Sequence, residues 1–239
     1  MKKTLLTTTI ILTFLLTSTV AVAQLTEIRN ENLSGFTKVY TEVPGKINIR
    51  IGAEFKVVME GEQDYLANIE TIVSEGKLII RDNRKYEFKK VHSNNGKFTA
   101  NITMPAISGL TISSFGNIEV FDSFKTDSLS LELDGLGKLI LNDVSGEYLN
   151  CEISGAGRII IQGNGFFKKA NVDISGVGRY VGESLKLETA NVNISGLGNC
   201  YCFVSDALKA RISGIGRIEN SGLSKVDKKI SGIGFISSY

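Results

Sequence analysis

The sequence predicts an all-β fold: a β-solenoid, wound as a right-handed, β-helix-like coil. Three observations predict it. A glycine-marked motif recurs seven times between residues 113 and 234, with its last glycines 21, 20, 21, 20, 18 and 18 residues apart. Apolar residues fall in fixed columns on either side of each motif. The composition, 25 glycines against two prolines in 239 residues, suits a chain rich in turns, and no stretch shows the 3.6-residue period of a helix. Self-similarity at a short period marks a repeat architecture.

The motif opens as Ser113-Ser114-Phe115-Gly116 and continues through the pairs Gly135/Gly137, Gly155/Gly157, Gly176/Gly178, Gly196/Gly198, Gly214/Gly216 and Gly232/Gly234, each pair preceded by Ser or Asp. Four residues before the last glycine stand Ile112, Leu133, Ile153, Ile174, Ile194, Ile212 and Ile230. Two residues after it stand Ile118, Leu139, Ile159, Tyr180, Cys200, Ile218 and Ile236. A third column, six residues before it, runs Leu110, Leu131, Cys151, Val172, Val192 and Ala210, and Lys228 breaks it. Polar residues such as Glu152 and Arg158 alternate with these columns, as half-buried strands require.

Each unit therefore reads as strand, Gly-x-Gly corner, strand and a looser turn. The glycines are expected to permit positive φ, and the preceding Ser or Asp to bond a nearby backbone N–H. Units stacked in register place each Ile about 4.8 Å from its counterpart, and burying each contributes roughly 1.5–3 kcal/mol. An antiparallel β-sandwich of hairpins is the alternative arrangement.

The residue between the glycines is apolar throughout: Phe115, Leu136, Ala156, Val177, Leu197, Ile215 and Ile233. The first expectation is that the corner rotates this column into the core, as close packing favours. The second is an exposed apolar stripe, the mark of a partner or self-association surface.

In chain order, residues 1–23 read as a secretory signal peptide. Lys2 and Lys3 precede an apolar run from Leu5 to Leu16, and Ala21-Val22-Ala23 supplies a cleavage site that leaves Gln24 first. The apolar run is short for a membrane span, and no later segment approaches one. Export to the periplasm or cell surface follows as an expectation, with no transmembrane segment in the mature chain. Residues 24–35 read as a loose polar leader, and 36–239 as one domain. Its first part, 36–105, holds less regular strands: Lys46–Ile51, Phe55–Met59, Asn68–Val73, Lys77–Arg81 and Phe98–Met104, with a hairpin or tight corner at Ser74-Glu75-Gly76. Residues 82–96 read as a charged loop. The seven repeats fill 106–239.

Several chemistries are disfavoured. A net charge of +2 without a basic cluster gives no case for nucleic acid. Phosphate-binding glycine loops lead into helices, whereas these lead into strands. Calcium-binding β-rolls carry an aspartate in each repeat, and Asp134 is alone here. The single histidine, His92, lies in the charged loop, and no ligand cluster suggests zinc. Cys151, Cys200 and Cys202 occupy inward columns and read as small hydrophobes. In an exported chain an odd count could also mean one disulfide and one free thiol. No catalytic, metal or cofactor residues are identified. The enzyme alternative is a polysaccharide hydrolase or lyase built on the outward acids Glu132, Glu152 and Asp173, whose stacking spacing approaches that of glycosidase carboxylates.

The strands around Phe36–Tyr40, Ile47–Ile51 and Lys77–Ile80, followed by the corners Ser154–Arg158, Ser175–Arg179 and Ser213–Arg217, resemble the head GIN domain family of auto-transporter adhesins over residues 36–239. The resemblance implies an exported bacterial β-solenoid whose biochemical activity is not defined, and it brings no catalytic residues. The chain departs from a true auto-transporter in having no barrel-like segment. Together these readings give a non-enzymatic, adhesin-like or envelope-scaffold protein that binds a surface protein or glycan and is able to self-associate.

Overall fold

The computed structural model describes residues 26–83 and 98–239. The segment read as a signal peptide, His92 and most of the segment read as a charged loop lie outside the described residues. The strands are β1 (Thr26–Glu31), β2 (Lys38–Thr41), β3 (Gly45–Ile51), β4 (Lys56–Glu62), β5 (Ile69–Ser74), β6 (Lys77–Asp82), β7 (Thr99–Met104), β8 (Gly109–Ile112), β9 (Phe115–Val120) and β10 (Phe124–Leu133). They continue with β11 (Leu136–Asn142), β12 (Val144–Ile153), β13 (Ala156–Gln162), β14 (Phe166–Ile174), β15 (Val177–Ile194), β16 (Leu197–Ile212), β17 (Ile215–Asn220), β18 (Lys225–Ile230) and β19 (Ile233–Ser238). A short helix, α1 (Gln63–Leu66), follows β4.

The strands form a β-solenoid of about six turns. Two parallel stacks meet at the glycine corners. Strands that lead into a corner pair in the order β2, β8, β10, β12, β14, β15, β16, β18. Strands that leave one pair in the order β3, β9, β11, β13, β15, β16, β17, β19. Strands β15 and β16 run through both stacks, so the hydrogen-bonded ladder is continuous. Parallel pairing throughout the repeats excludes the antiparallel sandwich.

The register follows the sequence columns. Ile153 lies over Leu133 and under Ile174, and Ile159 lies over Leu139 and under Tyr180. All three apolar columns are buried except in the last coil, where Ile230 is 42% exposed and Lys228 lies at the surface. That coil has a neighbour on one side only among the described residues, so its columns lack a second packing surface.

The corner glycines serve a purpose different from the one expected. Gly116, Gly135, Gly155, Gly157, Gly176, Gly178, Gly196, Gly198, Gly214, Gly216 and Gly232 have no positive φ. Gly137 and Gly234 do, but at 157° and 159° they border on extended backbone. The expectation that these residues are glycine in order to turn the chain is therefore corrected. What excludes a side chain is the coil below. At the first glycine of a pair, a Cβ on Gly155 would strike the carbonyl oxygens of Gly135 and Asp134, and one on Gly176 those of Gly155 and Ser154. At the second, a Cβ on Gly137 would strike Gly116 O, one on Gly157 would strike Gly137 O, one on Gly216 would strike Gly198 O, and one on Gly234 would strike Gly216 O.

Backbones approach this closely because corner amides bond from coil to coil. The N–H groups of Ser154 and Gly155 both donate to Leu133 O, at 3.1 and 3.0 Å, and Ala156 N–H donates to Gly135 O at 2.9 Å. The corner hydroxyl is therefore not needed to hold the turn. Ser154 Oγ reaches instead to Asp134 Oδ1, 2.7 Å away in the preceding coil.

The N-terminal part departs from coil geometry. Strands β4 and β7 pair antiparallel, as do β1 and β4, and β5 and β6. The Glu75-Gly76 link between β5 and β6 has φ of 51° and 69°, so this is a two-residue hairpin of the kind that needs left-handed backbone. Residues 26–31 form a strand where a loose leader is expected. Six cross-strand partners on β4 supply its main-chain bonds, and Arg29 donates to Leu66 O at 2.7 Å and Ile69 O at 3.0 Å. No described helix is long and apolar enough to cross a membrane.

Candidate binding surface

The column between the glycines faces outward. Phe115, Leu136, Val177, Leu197, Ile215 and Ile233 are between 44% and 70% exposed, and Ala156 is half-buried. The expectation that the corner turns this column inward is corrected here. Alternation holds through the corner, so it is the second glycine that faces the core. A Cβ on Gly178 would meet Ile153 Cγ2 at 2.5 Å, and one on Gly198 would meet Ile174 Cγ2 at 2.6 Å. One on Gly157 would meet Leu133 Cδ2 at 2.7 Å, and one on Gly216 would meet Ile194 Cγ2 at 3.2 Å. The apolar residue before each of these corners fills the space that the glycine leaves in the next coil. No room remains inside for the neighbouring apolar side chain. Gly234, in the last coil, is exposed.

The seven side chains stand in strict parallel register, Phe115 beside Leu136, Leu136 beside Ala156, and so on to Ile233. They make one apolar row, with six intervals of about 4.8 Å giving a length of about 29 Å. A shallow trough of about 510 Å³ runs beside its first four members, floored by Gly135, Gly155 and Gly176.

Unlike charges flank the row. On one side Lys138, Arg158 and Arg179 stack in consecutive coils, and Arg217 continues the column after Asn199. Arg179 lies 5.7 Å from the Tyr201 ring centroid. Arg217 lies 4.3 Å from that of Phe235 and pairs with Glu219 at 2.8 Å. No described carboxylate pairs with Lys138 or Arg158. Like charges on adjacent strands are unfavourable, so the ladder is an unbalanced feature that an anionic partner would relieve.

On the other side Glu132, Glu152 and Asp173 stack in register, as their spacing in the sequence implies. Glu132 accepts from Thr111 Oγ1 and Ser130 Oγ, both at 3.1 Å, and Asp173 accepts from Asn193 Nδ2 at 2.8 Å. These acids form a surface ladder. They line neither this trough nor a second one on the strands that lead into the corners.

The three cysteines are buried and free. Burial pushes the Cys151 thiol up. A hydrogen bond to Cys202, and then burial, raise that of Cys200. Tyr180, whose hydroxyl has no protein partner, is raised by burial and by the three cysteines around it. Thiols held neutral in a packed interior are poor nucleophiles. This cluster belongs to the core.

Comparison with known proteins gives a consistent picture. The family model described as "Putative auto-transporter adhesin, head GIN domain" matches residues 35–223. No curated protein matches the chain. Among solved structures, a putative adhesin from Bacteroides fragilis superposes with a TM-score of 0.83 at 19% identity, covering 91% of this chain and 98% of its own. A putative lipid binding protein from Parabacteroides distasonis gives 0.69 at 18% identity, with 90% and 96% covered. A putative adhesin from Parabacteroides merdae gives 0.67 at 17% identity, with the same coverage. At these identities the likeness is one of fold.

Proposed function

This chain belongs to the head GIN domain family, and from that premise we propose that it is an exported, non-enzymatic binding or scaffold protein that engages a surface partner through its corner row. The observation that carries this reading is the in-register apolar row of seven corner residues, six of them exposed. A long exposed apolar patch bordered by charge is how soluble proteins mark an interaction surface. Repetition at fixed spacing lets weak contacts add along the length of a partner.

Export rests on Lys2, Lys3, the apolar run and the Ala21-Val22-Ala23 site. The partner is a surface protein or glycan, or a second copy of the chain. The acid ladder gives the enzyme reading little support, because Glu132 and Asp173 are occupied by neighbouring side chains outside both troughs.

The test uses wild type and the double variant L197D/I215D. Both positions are half-exposed, so each substitution costs at most about 1 kcal/mol and the variant stays folded. Wild-type protein is expected to retain an envelope protein or glycan in a pull-down, and the folded variant to lose it. Equal retention by both, or collapse of the variant, would reject the row as the binding surface. Turnover on a glycan panel that Glu152→Gln abolishes would replace this reading with the enzyme one.

A further inference from the structure

A second trough, of about 650 Å³, lies on the stack of strands that lead into the corners, away from the apolar row. Its size is within the roughly 300–1,000 Å³ of natural ligand sites. Its floor runs over Leu149, Ala170, Ala190 and Leu208.

The chemistry of its walls is specific. Asn150, Asn171 and Asn191 stand in consecutive coils, each beside the next. Asn191 Nδ2 donates to Asn171 Oδ1 at 3.1 Å, which orients both amides. Each amide offers two donors and one two-lone-pair acceptor, so this single bond leaves Asn171 donors and the Asn191 acceptor for a ligand. Tyr148, 52% exposed, lies on the opposite wall, with the Lys169 ammonium 5.7 Å from its ring centroid.

The charged residues that line the trough are mostly cationic, and the acidic ladder of Glu152 and Asp173 runs two residues beyond Asn150 and Asn171 on the same strands. Lys169, Lys209 and Lys225 line it, and Asp227 is the one carboxylate that does. Arg211 occupies that carboxylate, donating to Asp227 Oδ2 at 2.6 Å and to Asp227 O at 2.9 Å. Its hydrogen bond also holds the Asp227 carboxyl below the usual range. Three lysines are thus left facing a polar, amide-lined channel.

We propose that this trough binds a linear anionic glycan of the uronate class, lying along the solenoid axis with one pyranose per coil. Coils repeat every 4.8 Å or so, close to the advance of an extended pyranose chain. The asparagine ladder pairs with ring hydroxyls, Tyr148 stacks on a sugar face, and the lysines meet the carboxylates. A peptide has no open strand edge to join in mid-sheet. A single-stranded nucleic acid would need an aromatic platform at successive positions, and one tyrosine serves the whole trough.

The experiment measures calorimetric binding of the full chain to hexagalacturonate. A neutral glucan hexamer, a polyglutamate peptide and an oligothymidylate serve as comparison ligands. Hexagalacturonate is expected to bind, more weakly at high salt, with the other three at least about tenfold weaker, a difference of about 1.4 kcal/mol. K209E and the double variant N171A/N191A should each lose about tenfold or more. These positions are exposed, and thermal unfolding confirms that each variant is folded; K169E gives a second charge reversal. The L197D/I215D pull-down reads the corner row and the hexagalacturonate titration of N171A/N191A reads the trough, so failure of the corner row and failure of the trough are separate results. Absence of hexagalacturonate binding would overturn the proposal. So would polyglutamate or oligothymidylate binding equally well, a neutral glucan doing so regardless of Lys209, or affinity unchanged in N171A/N191A.

Discussion

A single methyl group distinguishes the two reasons a glycine can be required. Gly35 has φ of 77° with open space where a Cβ would sit, whereas Gly176 has no positive φ but lies against the carbonyls of Gly155 and Ser154. Gly35→Ala therefore costs only the left-handed backbone term, about 1–2 kcal/mol. Gly176→Ala must push two coils apart, with a cost of about 3 kcal/mol or more. Chemical denaturation of both variants checks the order; a Gly176→Ala variant no less stable than Gly35→Ala contradicts the close-stacking explanation. The positions of these glycines are legible in the sequence, but their purpose is not. One unit read alone suggests a turn at Gly157 or Gly216, whereas the cause lies in the neighbouring coil, 18 to 21 residues away. Asn220 is hidden for a similar reason. It is fully buried, accepts from Val204 N–H at 2.7 Å and donates to Gly222 O at 2.8 Å, and no local motif announces it.

Strands β12, β15 and β16 bring Cys151, Tyr180 and Cys200 into one dry interior. All three are held neutral above the ordinary values of 9.0 for the thiols and 10.0 for the phenol. The unfolded chain releases these protons from about pH 9 upward. Stability from this source is therefore complete below that pH and is lost as pH rises, by up to about 1.4 kcal/mol per pH unit for each group. Urea midpoints should be flat from pH 7 to about pH 8.5 and fall beyond it, with a shallower fall in C151V/C200V. An identical fall in the variant would mean that other groups control alkaline unfolding. Strand positions in the repeats are legible because each column is written seven times and period-two alternation carries through the corners. Strict alternation places Leu136 and Leu197 outward, and the preference for close packing points the wrong way. Strand β1 is illegible because Thr26–Glu31 has no apolar alternation. Its pairing comes from the exposed main chain of β4, which composition does not encode.

Among the described residues, the coil stack carries polar ladders on its strands and an apolar row along its glycine corners. Net charge of +2 conceals a basic ladder at Lys138–Arg179 after the corners, and an acidic ladder at Glu132–Asp173 and a lysine-lined trough that share the strands leading into them. The parallel architecture is readable from periodicity, because in-register stacking is the arrangement in which seven incomplete apolar faces cover one another. The antiparallel additions at β1, β4 and β5 are not, since that region has no repeat to compare. Both proposed surfaces depend on the same register. Spin-label distances measure it directly, in a background where Cys151, Cys200 and Cys202 are changed to valine. Labels at Leu136 and Ile215 are four coils apart and those at Leu136 and Ile233 are five. Backbone separations of about 19 and 24 Å are expected, a step of one coil. Equal distances for the two pairs, or a spread that does not grow with coil number, would contradict the stacked row.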